Sequence, residues 1–201
     1  CAPSKGKRYG VGGKYVTQDR PIGLTGAVYQ VTKTNNLRAD PAGSSGSVEG
    51  GEFRARGVEV EAKAALSANI NVVGSYTYTE AEYTTDTNNK GNTPPQVPKH
   101  MASAWGDYTF YDGALSGLTL GTGARFTGSS QGDPDNSFKV GSYTVVDALV
   151  RYDSARAGLA GSNLASHLHN LFDREYFARC FYAYPGLSFL TSPRVATPTP
   201  A

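Results

Sequence analysis

Residues 70–79 read Ile-Asn-Val-Val-Gly-Ser-Tyr-Thr-Tyr-Thr, and in this stretch apolar and polar side chains alternate except at Val73. The even positions carry Ile, Val, Gly and Tyr, whereas the odd positions carry Asn, Val, Ser and Thr. The same alternation recurs in 58–64, 118–127 and 144–152. Because successive side chains of a β-strand point to opposite faces, this period of two predicts strands with one apolar and one polar face. The sequence therefore indicates an all-β protein.

Eight such strands follow one another, with connections that alternate in length. The predicted strands are 6–16, 22–33, 53–65, 70–83, 99–111, 117–128, 141–153 and 162–172. The connections are short at 17–21, 66–69, 112–116 and 154–161, and long at 34–51, 84–96 and 129–140. This alternation places all tight turns at one end of the sheet and all long loops at the other, as in outer-membrane barrels. We predict an antiparallel up-and-down sheet that forms a segment of a transmembrane β-barrel.

Strand length and the placement of aromatic residues favour a membrane location. Several predicted strands run about 12–15 residues, beyond the roughly 5–6 that are common in globular sheets. A tilted membrane strand needs roughly 9–11 residues. Aromatic residues gather toward strand ends, as in the interfacial girdles of barrels. These residues are Tyr76, Tyr78, Tyr83, Tyr108, Phe110, Tyr111, Phe126, Tyr143 and Tyr152.

The barrel hypothesis and its main rival make opposite statements about the apolar face. In a barrel, Ile70, Leu118, Val146 and their neighbours of the same parity contact lipid, and the opposite parity faces a polar interior. The rival is a soluble or surface β-sandwich that binds carbohydrate or protein. In that case the same side chains are buried against a second sheet.

Composition argues against several other classes of protein. The 201 residues carry a net charge of +2, and no run of Lys and Arg is suited to a phosphate backbone, so no nucleic acid is expected. No segment approaches the roughly 20 apolar residues of a membrane helix. No signal peptide is recognisable either. Since a barrel protein must cross the inner membrane, we expect the natural start to lie upstream and this chain to be a fragment.

Six short motifs occur in a consistent order over about residues 5–182. They are Gly6-Lys7-Arg8-Tyr9 with Gly12-Gly13-Lys14-Tyr15, Arg54-Ala55-Arg56-Gly57-Val58-Glu59-Val60-Glu61, Gly74-Ser75-Tyr76-Thr77-Tyr78, Gly91-Asn92-Thr93-Pro94-Pro95-Gln96-Val97-Pro98-Lys99-His100, Trp105-Gly106-Asp107-Tyr108 and Asn170-Leu171-Phe172-Asp173-Arg174-Glu175-Tyr176. Each motif is weak alone. In this order and spacing, they resemble the C-terminal part of TonB-dependent siderophore receptors, most closely the ferrichrome type.

The resemblance implies an energy-coupled importer of the bacterial outer membrane. Such a receptor has a 22-stranded barrel plugged by an N-terminal globular domain, binds a ferric siderophore outside, and draws on the proton gradient through TonB. Residues 1–182 would supply about eight strands at the C-terminal end of that barrel. The implied partners are outer-membrane lipid, a ferric siderophore, the plug domain with the remaining strands, and TonB through the N-terminal region. A small eight-stranded pore is a further alternative, and we expect no transport by this segment alone.

The end of the chain departs from the pattern of the family in two ways. Cys180 is not followed by the second cysteine that usually closes a small disulfide loop, and the spacing of Cys1 and Cys180 does not argue for a bond between them. The family also ends on a strand with a terminal aromatic residue. Here Pro198 and Pro200 remove ladder donors, so 183–201 is predicted to be an atypical tail without a strand, and the product is expected to assemble poorly.

Ligand capture in the family uses aromatic and polar side chains of the long loops. The candidate ligand-binding residues are therefore Tyr83, Phe138, Phe181 and Tyr182, which lie in or beside such loops. Loop packing or interfacial anchoring is the alternative role for each of them.

No cofactor, metal site or catalytic centre is predicted. His167 and His169 share one face of a strand but have no third ligand nearby in the sequence, and 133–136 is interpreted as a turn rather than a calcium site. Four charged residues are interpreted as lining the barrel interior: Glu59, Glu61, Asp147 and Arg151. None of the familiar hydrolase, zinc or phosphate-loop motifs occurs, so the chain is predicted not to be an enzyme.

Overall fold

The computed structural model describes residues 4–17, 21–34, 36–39, 47–86, 88–157, 162–177, 179–184 and 187–191. Most of these residues lie in β-strands, and two short 3₁₀ turns lie at Gly113–Leu115 and Ser154–Ala157. The strands are β1 (Lys5–Val16), β2 (Ile22–Thr34), β3 (Asn36–Ala39), β4 (Ser47–Gly50), β5 (Glu52–Ala65), β6 (Ile70–Thr85), β7 (His100–Thr109), β8 (Leu118–Thr127), β9 (Ser130–Gln131), β10 (Lys139–Val140), β11 (Tyr143–Asp153), β12 (Asn163–Leu168), β13 (Arg179–Tyr184) and β14 (Leu187–Thr191). Within the described part, no helix is long and apolar enough to cross a membrane.

The eight long strands form one antiparallel sheet in the order β1-β2-β5-β6-β7-β8-β11-β12. Each strand pairs with its predicted neighbour, so the predicted up-and-down sheet is confirmed. Three small hairpins were not predicted. The pairs β3–β4 and β9–β10 fold within the long connections, and β13–β14 follows the sheet. These hairpins form because backbone groups in a long connection also need hydrogen-bond partners.

The register places one set of side chains on a single face across the whole sheet. A row of directly paired residues runs through Ala62, Gly74, Ala104, Ala124 and Val146. Directly opposed residues of neighbouring strands share a face, so the even residues of β2, β5, β6, β7, β8, β11 and β12 lie together. In β1 the odd residues join them. We call this surface the apolar face.

The apolar face is open to its surroundings, because fifteen of its large side chains are 38–75% exposed, and Ile70, Leu118 and Val146 are half-buried. The fifteen side chains are Tyr9, Val11, Tyr15, Ile22, Leu24, Val28, Val58, Val60, Tyr76, Tyr108, Leu120, Phe126, Val150, Leu164 and Leu168. Among the described residues, the buried hydrophobic side chains are only Ala81, Val140 and Val145. The β-sandwich alternative is therefore wrong, since it requires a second sheet over this face. An exposed apolar surface of this extent is suited to hydrocarbon.

The opposite surface, which we call the polar face, carries five cross-strand polar contacts, whereas the ion pairs Arg54–Glu82 and Arg56–Glu80 lie on the other face, at the long-loop end of β5 and β6. The five contacts are Tyr29–Thr79 at 2.9 Å, Ser75–Ser103 at 2.7 Å, Thr109–Thr119 at 3.0 Å, Asn71–Asp107 at 3.1 Å and Arg125–Asp147 at 2.9 Å. Trp105 also lies on this face, with its indole against Gly121 and Gly123. A Cβ at Gly123 would come 2.6 Å from the carbonyl oxygen of Ala104 and would also overlap the indole. The two glycines therefore leave the space that the ring occupies.

A one-residue bulge ends the regular pairing of β12. Leu168 lies opposite Ala148, but the next ladder contact is donated by the Leu171 N–H to the Val146 carbonyl, at 2.7 Å. One extra residue is therefore accommodated opposite Asp147, and Asn170 there has a left-handed φ of 54°. The bulge returns Leu171 to the apolar face. It also explains why β12 ends at Leu168 and not at 172 as predicted.

The second strand of the last hairpin lies in the segment 183–201, for which the sequence predicts no strand. Strand β14 spans Leu187–Thr191, so that prediction does not hold for these residues. Their backbone pairs with β13, where Cys180 lies opposite Leu190. The prediction depended on the prolines at 198 and 200, which lie beyond this hairpin and outside the described residues, as does Cys1.

Candidate functional site

The connection 86–99, between β6 and β7, folds back onto the end of β6. The carboxylate of Asp86 accepts the N–H groups of Asn88 and Asn89 at 2.9 and 3.1 Å, which forms a tight turn. Gly91 follows with a φ of 87°, a conformation that side chains disfavour. The backbone of Tyr83 then pairs with the returning chain, since its N–H donates to Asn92 and its carbonyl accepts from Gly91, both at 2.9 Å. The candidate residue Tyr83 is thereby fixed at its backbone.

The connection 128–142, between β8 and β11, contains the short hairpin β9–β10. Its tip is the predicted turn 133–136, which is confirmed, since the Asn136 N–H donates to the Asp133 carbonyl at 3.3 Å. Asp133 is only 4% exposed, and its carboxylate accepts both the N–H and the hydroxyl of Ser137. The ring of Phe138 lies against Gly132, where a Cβ would overlap it. The aspartate therefore orders its own loop, as turn chemistry predicts.

The two connections are joined to each other by the amide side chain of Asn136. Its Oδ1 accepts the Thr93 N–H at 3.2 Å, and its Nδ2 donates to the Thr93 carbonyl at 3.0 Å and to the Pro134 carbonyl at 3.1 Å. The Nδ2 of Asn92 also donates to the Pro134 carbonyl, at 3.0 Å. We call this group of four residues, Asn92, Thr93, Pro134 and Asn136, the clasp.

A backbone contact supports the clasp from one side, since the Gln96 N–H donates to the Gln131 carbonyl at 2.9 Å. Gln96 and Asn136 both have left-handed backbones, with φ values of 62° and 58°. Between the two connections lies a cavity of about 200 Å³. Its lining residues are Thr93, Val97, Lys99, His100, Gly128, Ser129, Ser130, Gln131 and Lys139. Among these described residues there is no carboxylate, so the cavity is suited to a neutral polar or anionic group.

The four candidate ligand-binding residues fall into two groups. Tyr83 lies in β6, just before the connection 86–99. Phe138 lies in the connection 128–142, just before β10. Phe181 and Tyr182 lie in β13 and not in a loop, and their side chains are outside the description. Ligand contact by any of the four stays a prediction. The sequence does not predict a role for Asn92 and Asn136 in the site. Only their position in turn-rich stretches could have indicated it.

On the polar face, Asp147 is the centre of a second polar cluster, beside the bulge. Its Oδ2 accepts from Arg125 at 2.9 Å, and its Oδ1 accepts the Asn170 N–H at 3.0 Å. His169 Nδ1 lies 3.6 Å from the same Oδ1. The Asp147 side chain is 13% exposed, and its parity places it with Glu59, Glu61 and Arg151 on the polar face, as the interior-lining prediction requires.

The histidine pair His167 and His169 lies at the end of β12. The rings of His167 and His169 lie 6.3 Å apart and nearly parallel. In the described segments, no group of three or more His, Cys, Asp or Glu side chains is placed to hold a metal ion.

Comparisons with known proteins agree with the arrangement of the strands. Residues 2–164 match the family model described as "TonB dependent receptor-like, beta-barrel". The chain is 78% identical over 183 residues to the ferrichrome outer membrane transporter/phage receptor of Escherichia coli K12. It is 35% identical over 180 residues to the ferrioxamine B receptor of Salmonella typhimurium.

A solved structure shares the same fold. The siderophore receptor PiuA from Acinetobacter baumannii superposes with a TM-score of 0.73 over 93% of this chain, at 26% identity. The present chain corresponds to 26% of that receptor. The matches to the two relatives by sequence cover 91% and 89% of this chain but only 24% and 25% of the relatives. The chain thus spans about a quarter of the length of these three relatives.

Proposed function

Since this chain belongs to the TonB-dependent receptor-like β-barrel family, we propose that it forms one arc of an outer-membrane barrel that imports ferric siderophores. The observation that carries the proposal is the division of the eight-stranded sheet into a continuous exposed apolar face and a polar face. The apolar face contacts outer-membrane lipid, and the polar face lines the interior. In the complete receptor this arc is the C-terminal part of a 22-stranded barrel.

We propose ferrichrome as the transported siderophore. The 78% identity to a relative named as a ferrichrome transporter supports this choice, and the ferric ion is cargo and not a resident cofactor. The clasped loops lie at the long-loop end of the strands, which is the extracellular end in such barrels. There Tyr83 and Phe138 contribute to the rim of the entrance. The role is transport and not catalysis.

The polar face is proposed to surround the plug domain of the complete receptor. Its hydroxyl groups and the Arg125–Asp147 pair offer donors and acceptors to a globular partner. The plug would link the interior to TonB through the N-terminal region of the complete protein. Energy for release of the siderophore then comes from outside this segment.

This segment alone is proposed not to transport. The outer strands β1 and β12 each have a partner on one side only, among the described residues. Unpaired backbone groups at such edges cannot be exposed to lipid without a large energetic cost. Expression of this chain alone in a strain that lacks ferrichrome uptake is expected to give no growth on ferrichrome iron, and growth there would overturn this part of the proposal.

The proposal is tested with a chimera in which the 183 matching residues of this chain replace the corresponding quarter of the E. coli ferrichrome transporter, whose own C-terminal end is kept. The chimera is expressed in a strain without its own ferrichrome transporter, and growth is measured with ferrichrome as the iron source. Growth that disappears when TonB is deleted is the expected result. A chimera that inserts into outer membranes as a heat-modifiable barrel but supports no uptake would contradict the proposal.

A further inference from the structure

We propose that Asn136 is a positioning residue that joins the loops 86–99 and 128–142 into one preformed wall of the ligand entrance. This inference rests on the proposed import function and deepens it. It states that this side of the entrance is already in place before the siderophore arrives. The two loops then move together or not at all.

The geometry of the amide carries the proposal. The side chain of Asn136 faces the peptide group of Thr93 with one acceptor and one donor, so it pairs with the backbone as a neighbouring strand would. Its second donor hydrogen bonds to the Pro134 carbonyl of its own loop. Every partner is a main-chain group, so the contact fixes the backbone of both loops and does not depend on the side chain at 93.

The backbone at Asn136 is suited to this task. A φ of 58° lies in the left-handed region, which asparagine tolerates better than most residues. The conformation turns the amide toward the other loop. Two variants separate the effect of the backbone conformation from that of the side-chain hydrogen bonds. Asn136→Gly keeps the left-handed backbone but removes all three hydrogen bonds. Asn136→Asp keeps the shape and the acceptor but removes both donated bonds.

The clasp links the two candidate residues that the structure places together. Tyr83 is bonded through its backbone to Asn92, and Asn92 donates to Pro134 of the second loop. Phe138 follows four residues later, against Gly132. The cavity between the loops has Thr93 in one wall and Gln131 in the other, so the same contacts set its width. Loss of the clasp is therefore expected to alter the spacing of both loops and of both aromatic residues.

The first readout is hydrogen exchange, measured on the chimera described above, without any siderophore. In the unmodified chimera, amides of residues 88–97 and 130–139 are expected to exchange slowly. In Asn136→Gly and Asn136→Asp, both segments are expected to exchange at least about tenfold faster, since the variants lose three and two hydrogen bonds and a single net hydrogen bond contributes up to about that factor. The control is Asp135→Asn, because Asp135 is an exposed neighbour of the clasp.

The second readout is uptake of radiolabelled ferrichrome over a range of concentrations. Both Asn136 variants are expected to raise the half-saturating concentration about tenfold while the maximal rate changes less than about twofold. Asp135→Asn is expected to leave both values unchanged. Heat-modifiability verifies insertion of each variant, and if Asn136→Gly fails to insert, Asn136→Asp decides alone.

The outcomes separate this inference from the proposed function. Faster exchange confined to residues 130–139, or no change in exchange, would overturn the role of Asn136. An unchanged half-saturating concentration despite faster exchange in both loops would overturn its importance for capture. Failure of the unmodified chimera to import ferrichrome would instead count against the proposed function, and hydrogen exchange would still test the clasp.

Discussion

Replacement of Ala104 by arginine tests the assignment of the apolar face to lipid. Ala104 is exposed, points to the apolar face, and lies four residues from His100 and four from Tyr108 on strand β7. At roughly 3.4 Å per residue this is about 14 Å along the strand in each direction. With a tilt of about 45°, Ala104 lies about 10 Å in depth from either ring, near the middle of an apolar band about 25 Å tall.

The expected cost follows from this depth. Arginine at the midplane of a barrel's lipid face makes folding into the membrane less favourable by about 2–4 kcal/mol. That is a loss of about 30- to 700-fold in the equilibrium constant. The matched control is Val73→Arg. Val73 is 39% exposed on the polar face and is adjacent to Gly74, the direct partner of Ala104. Its substitution is expected to cost about 0.5 kcal/mol or less.

The measurement is made on the chimera with the E. coli ferrichrome transporter. Each variant is folded into phospholipid vesicles, and denaturant titration gives the change in the free energy of unfolding relative to the unmodified chimera. The fraction that is heat-modifiable in outer membranes provides a second measure. If Val73→Arg costs as much as Ala104→Arg, or more, the two faces have been assigned the wrong way round.

Three further substitutions test contacts across the sheet by the same unfolding measurement. Gly123→Ala is expected to lower the free energy of unfolding by about 1–3 kcal/mol, because its Cβ would overlap the indole of Trp105. In the control Gly13→Ala the added Cβ enters open space and should cost nothing. Equal effects of the two substitutions would exclude the overlap. Asp147→Ala leaves a guanidinium and a backbone N–H without their acceptor and is expected to cost about 1–3 kcal/mol; a neutral result would mean that water replaces the carboxylate. Tyr29→Phe removes a 2.9 Å cross-strand hydrogen bond and is expected to cost about 1 kcal/mol; no loss would show that the hydroxyl bond is dispensable.

The sheet was predictable because its signal is local. The alternation within 70–79 and similar stretches predicts which side chains share a face. The short connections predict which strands are neighbours. The bulge was not predictable in this way. It depends on the left-handed backbone of Asn170 and on an acceptor, Asp147, that is 23 residues away in the sequence. A period of two, read along one strand, contains no information about such a partner.

The candidate site was predictable only in outline. Aromatic residues near long loops identified Tyr83 and Phe138, but not the contact that joins their loops. That contact links Thr93 to Asn136 across 43 positions, and the turn chemistry of 133–136 explains only the bonds within its own loop. Phe181 is predicted to lie in or beside a loop, and its backbone lies in β13. A loop and a small hairpin have similar composition, so the sequence does not distinguish them.

The extra residue at Asn170 also determines how this chain accommodates changes in length. Removing that one position would reverse the parity of Leu171, whose N–H donates to the Val146 carbonyl, and would turn its side chain inward. Adding one position to any other long strand would have the same effect beyond the insertion. Viable homologues are therefore expected to gain or lose residues in twos along the strands and in any number within the extracellular connections.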